Sequence, residues 1–260
     1  MKKTIVFMSL FFALSLFVLS ACTGNGNTST SSDSASGEEV AMTIEEAKPI
    51  IAKALEATTF DNVTVESNNA LGAIITFQSV ENQVNSVIKI DRTQDPARLY
   101  VDLDIKSENE ETAAQSREIY IVGDEATIVH ADGTVEESTA SILKLEDYVN
   151  GASTYDTETF DAIIDCATSC TARQDGDSLI IALELDGEKA LESGAIDISG
   201  LPEDTTMHGM QATYTIDGQG RLTEYLMVYR GAQSIAAFSV TLGAKYYDYG
   251  TTVVPEYKAG

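Results

Sequence analysis

The 260-residue chain has no tryptophan, only two histidines, three cysteines and four prolines. Histidine titrates nearest to neutral pH and is the commonest metal ligand, so acid–base and metal chemistries have almost no raw material. His130 and His208 lie far apart, no H-E-x-x-H or G-x-S-x-G occurs, and both histidines read as surface or hydrogen-bonded residues. With no nucleophile–base pair and no metal or cofactor set in view, the chain is expected to be non-catalytic. Positive charge is scarce as well: 16 Lys and Arg stand against 41 Asp and Glu, a formal net charge of −25. Binding nucleic acid or anionic headgroups requires cations that displace counterions, so neither is an expected partner. The acidic group Asp102, Asp104, Glu108, Glu110 and Glu111 lacks the D-x-[DN]-x-[DN]-G order of a calcium loop and reads as a solvated face.

The one long apolar run is at the start. Met1-Lys2-Lys3 precedes Ile5 to Val18, and Leu19-Ser20-Ala21-Cys22 follows. Basic start, short apolar stretch and small residues make residues 1–21 a secretory signal peptide, too short for a lasting transmembrane helix. Leu19-Ser20-Ala21-Cys22 resembles the bacterial lipobox. That resemblance implies that Cys22 becomes the N-terminus, carries a thioether-linked diacylglycerol and is N-acylated, as with palmitate. Each buried CH₂ contributes about 0.8 kcal/mol, so two or three acyl chains anchor a protein stably. Removing residues 1–21 takes away Lys2 and Lys3 and no acid, so the mature charge moves from −25 to −27. The expected location is the extracytoplasmic face of the cell membrane, in a cell envelope of Gram-positive kind.

Residues 22–41 form the next unit, the lipidated Cys and a polar tether. Thr23 to Glu39 holds Gly, Asn, Ser, Thr and acids with no branched aliphatic or aromatic residue, so nothing offsets the entropy of ordering. Residues 42–260 are the expected single domain. Thr43-Ile44-Glu45-Glu46 reads as a capping box, and Ile44, Ala47, Ile51 and Leu55 continue a helical stripe to about Thr58. Pro49 predicts a bend or a later start. Strands are predicted over Phe60–Ser67, Ala73–Val80, Val84–Asp91, Leu99–Ile105, Glu118–Val122 and Ala126–His130, with a turn at Asp132-Gly133. Helical spacing returns at Ile142, Leu145 and Val149, and again at Phe160, Ile163, Ile164 and Ala167 behind an Asp156 cap. Strands then resume at Thr171–Gln174, Ser178–Leu185, Met210–Ile216, Leu222–Tyr229 and Ser234–Leu242. Strands joined mostly by short turns argue for an antiparallel α+β domain, since parallel sheets need a helix at nearly every crossover.

Cys166 and Cys170 remain after Cys22 is acylated, an even pair in an oxidising compartment. On an unbroken helix they would sit about 5–6 Å apart at Cβ, beyond the roughly 3.8 Å of a disulfide. A helix ending between them would let a bridge close. That disulfide is the leading expectation; free buried thiols and, more remotely, a redox or metal role are the alternatives.

The order of lipobox, polar leash, first helix, meander, helical insertion and second meander resembles the LolA/LolB-like lipoprotein superfamily, which includes mycobacterial lipid-carrying lipoproteins. Two stretches carry the likeness: Tyr246-Tyr247-Asp248-Tyr249-Gly250 through Pro255, and Tyr214-Thr215-Ile216-Asp217 with Gly220-Arg221-Leu222. The resemblance implies a curved antiparallel half-barrel sheet wrapping the N-terminal helix and a central helical insertion, with space between for acyl chains. No set of ligand residues carries across by position. From the residues themselves, Leu222–Tyr229 is apolar on both faces and must be covered on both. Tyr225, Met227 and Tyr229 are the cavity candidates, with Leu222, Leu226 and Val228 left to ordinary core duty. A filled sandwich core meets the same pattern and is the commoner use of methionine. Tyr246, Tyr247, Tyr249 and Tyr257 could stack on sugars but suit a pinned terminal strand. The expected function is an envelope-anchored carrier or binder of a hydrophobic or amphiphilic ligand, without cofactor. The alternative is a surface protein-interaction or wall-binding module with a filled core.

Overall fold

The computed structural model describes residues 38–58, 60–75, 78–107, 110–139, 157–193, 205–233 and 236–258. Twelve strands form one open, wholly antiparallel sheet: β1 (Glu38–Val40), β2 (Asn62–Ile75), β3 (Gln78–Asp91), β4 (Arg98–Lys106), β5 (Arg117–Val122), β6 (Glu125–His130), β7 (Val135–Thr139), β8 (Ala167–Asp175), β9 (Ser178–Leu185), β10 (Thr206–Ile216), β11 (Leu222–Gln233) and β12 (Ala236–Tyr247). Their order is β1-β8-β9-β10-β11-β12-β2-β3-β4-β5-β6-β7. Two sequential meanders, β2 to β7 and β8 to β12, are therefore joined edge to edge where β12 pairs with β2 from Ala236↔Ile75 to Tyr247↔Thr64. This is the α+β half-barrel class expected from the sequence, a sheet that does not close with a few helices on it.

The described helices are α1 (Ile44–Ala57), α2 (Glu110–Ala113), α3 (Thr157–Ile164) and α4 (Gly187–Ser193). Thr43 caps α1 as its sequence predicts: the Glu46 amide donates to Thr43 Oγ1 at 3.2 Å, and the Thr43 amide donates to Glu46 Oε2 at 2.8 Å. Of the two effects expected of Pro49, a bend or a later start, the later start does not occur: Pro49 lies inside a helix that begins at Ile44. Ala47, Ile51 and Ala54 form its fully buried stripe. That stripe rests on β8, β10 and β11 and on α3, where Lys48 Nζ meets Asp161 at 3.1 Å. Asp186 caps α4 through the Lys189 amide at 3.1 Å. A Cβ on Gly187 would come within 2.6 Å of Met207 Cβ, so only glycine lets α4 lie this close to β10.

Several expectations are corrected. Residues 60–91 hold two strands of 14 residues and not three shorter ones, because Asn68, Asn69 and Glu81 to Gln83 stay paired across the β2–β3 hairpin. Sheet structure starts at Glu38, inside the expected tether. Glu38–Val40 pairs with Ala172–Gln174 through backbone groups alone, which makes polar composition no obstacle at a free edge. Strand β7 and helix α4 had no counterpart in the sequence reading. The helical stretch expected around Ile142, Leu145 and Val149 and the Asp156 cap lie outside the described residues.

Candidate functional site: the inner face of the sheet

Strand register sorts the side chains into rows on one face. The deepest row in the N-terminal meander runs Val63–Ile90–Leu99–Ile121–Ala126, and the next runs Tyr246–Val65–Ile88–Val101–Ile119–Ile128. All of these are buried. The row above crosses both meanders: Ala172, Ile181, Tyr214, Tyr225, Ala244, Ser67, Ser86, Leu103, Arg117 and His130. It is apolar as far as Ala244 and then turns mostly polar. Beyond it, Asn69 sits between Leu242 and Val84, and Asn82 sits opposite Leu71. Ser67 and Ser86 hydrogen-bond to each other at 2.7 Å, and Ser107 Oγ donates to Asn82 Oδ1 at 2.6 Å. The inner face of the N-terminal half therefore has an aliphatic floor and a polar rim.

The C-terminal half is different. Phe160 of α3 meets the Tyr214 ring edge-on, with centroids 6.3 Å apart, and Tyr214 lies 5.2 Å from Tyr225. Tyr225 and Met227 are 1% and 0% exposed and Tyr229 is 9% exposed, all on this inner face. The division of labour expected on β11 is thus reversed for two residues: Leu226 and Val228 belong to the outer face, and Leu226 is 36% exposed. Leu222 joins the inner face because a register shift between Thr215 and Ile216 breaks the alternation just before Glu224.

One end of the inner face is closed by a clasp built from the two sequence stretches that carry the family resemblance. Arg221 grips Asp217 Oδ2 through Nε at 3.0 Å and Nη2 at 2.7 Å, and its guanidinium lies 4.4 Å from the Tyr249 ring centre. Tyr249 donates to the Leu222 carbonyl at 2.6 Å, and the Leu222 amide donates to Thr58 Oγ1 at the end of α1. Burial pushes the Tyr249 hydroxyl up to about 12. Burial also opposes ionisation of Asp217, but the Arg221 amide and guanidinium and the Gln219 amide outweigh it and hold that carboxyl below its ordinary value. Asp248 reverses the chain with φ 55, in the left-handed region. Thr252 then bonds Thr64 and Asn62, which lays the tail along β2 and the outer face.

That outer face holds an opposite electrostatic pattern. Asp102 stands directly across from Glu118 on adjacent strands. Burial raises the Asp102 carboxyl, and Glu118 and Asp104 raise it further. Tyr120 donates to Glu118 at 2.5 Å and stacks between Tyr100 and Tyr257, at 5.0 and 5.5 Å. Burial lifts Tyr100 to about 12, and Tyr120 rises for the same reason. Tyr246 meets Phe60 edge-on and Tyr249 is in the clasp, so the tail tyrosines, Tyr247 apart, pack as structural residues.

The expected Cys166–Cys170 bridge is absent and both thiols are free. Strand β8 begins at Ala167, and four steps of extended chain span about 13 Å, roughly twice the Cα separation a disulfide accepts. Cys166 instead donates to the Ala162 carbonyl at 3.1 Å. Burial raises the Cys170 thiol, helped by Glu46. His130 Nε2 faces Glu136 at 3.5 Å, and His208 is exposed at an irregularity of β10. Cys22 lies outside the described residues, among which no helix is long and apolar enough to cross a membrane. The rim residues Ser67, Ser86, Asn82 and Arg117 had not been singled out. A signal existed for the last, since Arg117 shares its parity with Ile119 and Ile121 and is the one charge on that face of its strand.

No protein-family model matches the chain, and no curated protein matches it. Among solved structures, it is similar to a DUF1329 family protein from Desulfovibrio piger, with 9% identity over 79% of this chain and 91% of that one, at a TM-score of 0.25. It is also similar to a LolA superfamily protein from Nitrosomonas europaea, with 13% identity over 84% and 96% of the two chains, at a TM-score of 0.23. The second is of the superfamily that the sequence resembles. At scores this low the likenesses carry no argument about a ligand, and the chemistry rests on the rows of the inner face.

Proposed function

We propose that this protein is a lipid-anchored, non-catalytic carrier that holds an amphiphilic molecule against the inner face of its sheet, on the extracytoplasmic side of the cell membrane. The observation that carries this reading is the graded inner face: aliphatic rows at depth, and Ser67, Ser86, Asn69 and Asn82 along the rim. A core serving stability alone has no use for that gradient, because a buried polar group contributes little net stability and is costly if unpaired. An amphiphile has the same profile along its length. Cys22 supplies the anchor and the polar segment after it the reach.

The test uses the mature protein with Cys22→Ser, which should leave the membrane fraction and remain soluble. Organic extraction followed by mass spectrometry should recover a co-purifying amphiphile in near-stoichiometric amount. A clean extract, with no uptake of an added fatty-acid probe, would overturn the reading. A second reading has one observation in its favour: Tyr225 and Met227 are almost wholly buried without ligand, as in a filled core. A surface-interaction or wall-binding module would then remain.

A further inference from the structure

The chain is strongly acidic, and five of its thirteen described lysines and arginines sit beside carboxylates. Lys48 meets Asp161 and Asp165, Arg98 meets Glu256, Lys106 meets Asp104, Arg221 meets Asp217 and Lys245 meets Glu224. Arg117 is one of three arginines, with Arg98 and Arg173, whose buried Nε makes no hydrogen bond, and unlike Arg98 it has no carboxylate beside it among the described residues. It lies on the inner face between Leu103 and His130, above Ile119 and Ile121, which are each 1% exposed. The next residue, Glu118, points to the other face, where it accepts from Tyr120. The nearby Glu136 is turned to His130.

A partly buried guanidinium without a counter-ion has given up hydration and received nothing in return, which is unfavourable unless an anion arrives. From the rim position of Arg117 and its unused donor, we infer that this side chain receives the anionic head, a carboxylate or phosphate, of a single-chain amphiphile. The inference rests on the carrier reading above and adds the class of ligand. The planar fork of the guanidinium suits two-point contact with either head. The aliphatic row next to Arg117, made by Ile119, Val101 and Ile88, is 1–4% exposed, so a tail entering there has to displace what covers it. The acidity of the whole chain does not forbid the head contact: exposed charges are screened beyond about 8 Å at physiological salt, whereas a contact in the partly buried rim is screened far less.

The test compares cis-parinaric acid with its methyl ester, at neutral pH, on the mature protein carrying Cys22→Ser. Unfolding curves first establish that Arg117→Gln and Arg117→Lys are folded. Arg117→Gln should weaken binding of the acid at least tenfold and leave the neutral ester within about twofold; Arg117→Lys should keep most of the acid's affinity; Arg92→Gln, an exposed control, should change neither. Palmitate should displace the probe where acetate and inorganic phosphate at the same concentration do not. Acid and ester binding alike in wild type and Arg117→Gln would overturn the headgroup assignment and leave the carrier reading intact. Displacement by inorganic phosphate alone would make Arg117 a small-anion site and overturn it too. If neither probe binds wild type, both readings fall.

Discussion

The two meanders use one sheet for different ends. In the C-terminal one, β8 to β12, helices α1, α3 and α4 lie on the inner face, three aromatic rings interlock, and its exposed end is locked by the Asp217–Arg221–Tyr249 clasp. In the N-terminal one, β2 to β7, no described helix of eight residues or more rests on the inner face; its rim is polar, its inner Arg117 has no carboxylate partner among the described residues, and its outer carboxylates face each other. Both meanders supply buried rows to one core, but only the N-terminal one keeps polar and charged groups along the rim of its inner face.

The largest expected effect breaks the C-terminal half. Phe160→Ala removes the ring by which α3 holds Tyr214, and large-to-small changes at a buried aromatic cost about 3–5 kcal/mol. Urea unfolding of this variant should show that loss, and the transition should stay single because one sheet runs through both meanders. A second, earlier transition would show that the halves unfold separately and sharpen the contrast between them.

Met227→Trp tests whether the inner face of the C-terminal half is filled. Met227 is fully buried on the inner face, between Ala212 and Leu242. Overpacking a filled site costs about 1–3 kcal/mol. A variant as stable as wild type that no longer takes up a fatty-acid probe would place open space there instead, and would favour the carrier.

Legibility cut across that division. The alternation of Leu99 to Ile105 and the capping box at Thr43 were readable because each signal is local. The long β2–β3 hairpin was not: Asn68, Asn69 and Asn82 read as turn residues, and only partners distant in sequence, such as Ser107 just past β4 for Asn82, explain their place. The cysteines fail for a related reason. Whether two residues four apart can meet depends on where helix becomes strand, and that junction at Cys166–Ala167 is set by the pairing of β8 with β9. The rim escaped notice because serine and asparagine carry no signature of chemistry until register aligns them. Thiol titration of unfolded, unreduced mature protein should find two thiols per chain; finding none would restore the bridge.

Tyr249→Phe loosens the clasp with little change in volume. It leaves the Leu222 carbonyl without its donor, at a cost of about 1–2 kcal/mol. The partner carboxylate carries a pH signature. Because the folded-state pKa of Asp217 is depressed, its contribution is present above the ordinary value of 3.8 and is lost as pH falls below that toward the folded value. Asp217→Asn should therefore cost stability at pH 7, and the deficit should shrink once wild-type Asp217 is itself protonated. A deficit unchanged at low pH would assign the clasp to hydrogen-bond geometry alone.

Asp102→Asn is the mirror image and the smallest effect. The folded-state pKa of Asp102 is raised, so the folded protein holds that proton more tightly than the unfolded chain does. Its stabilising contribution is present below the ordinary value of 3.8 and is lost as pH rises through the folded value, which leaves two like charges opposed across β4 and β5. Removing one charge should stabilise the protein at pH 7 by at most about 1 kcal/mol, as expected for a cross-strand pair that is partly solvated. The gain should fade on acidification, as wild-type Asp102 takes up its proton, and should fade with added salt. Glu118→Gln relieves the same repulsion but replaces the charged acceptor of Tyr120 with a weaker neutral amide oxygen, so it should gain less. If Asp102→Asn destabilises at neutral pH, the acidic outer face of the N-terminal half is held by contacts that outweigh its repulsion, and the electrostatic contrast between the meanders fails there.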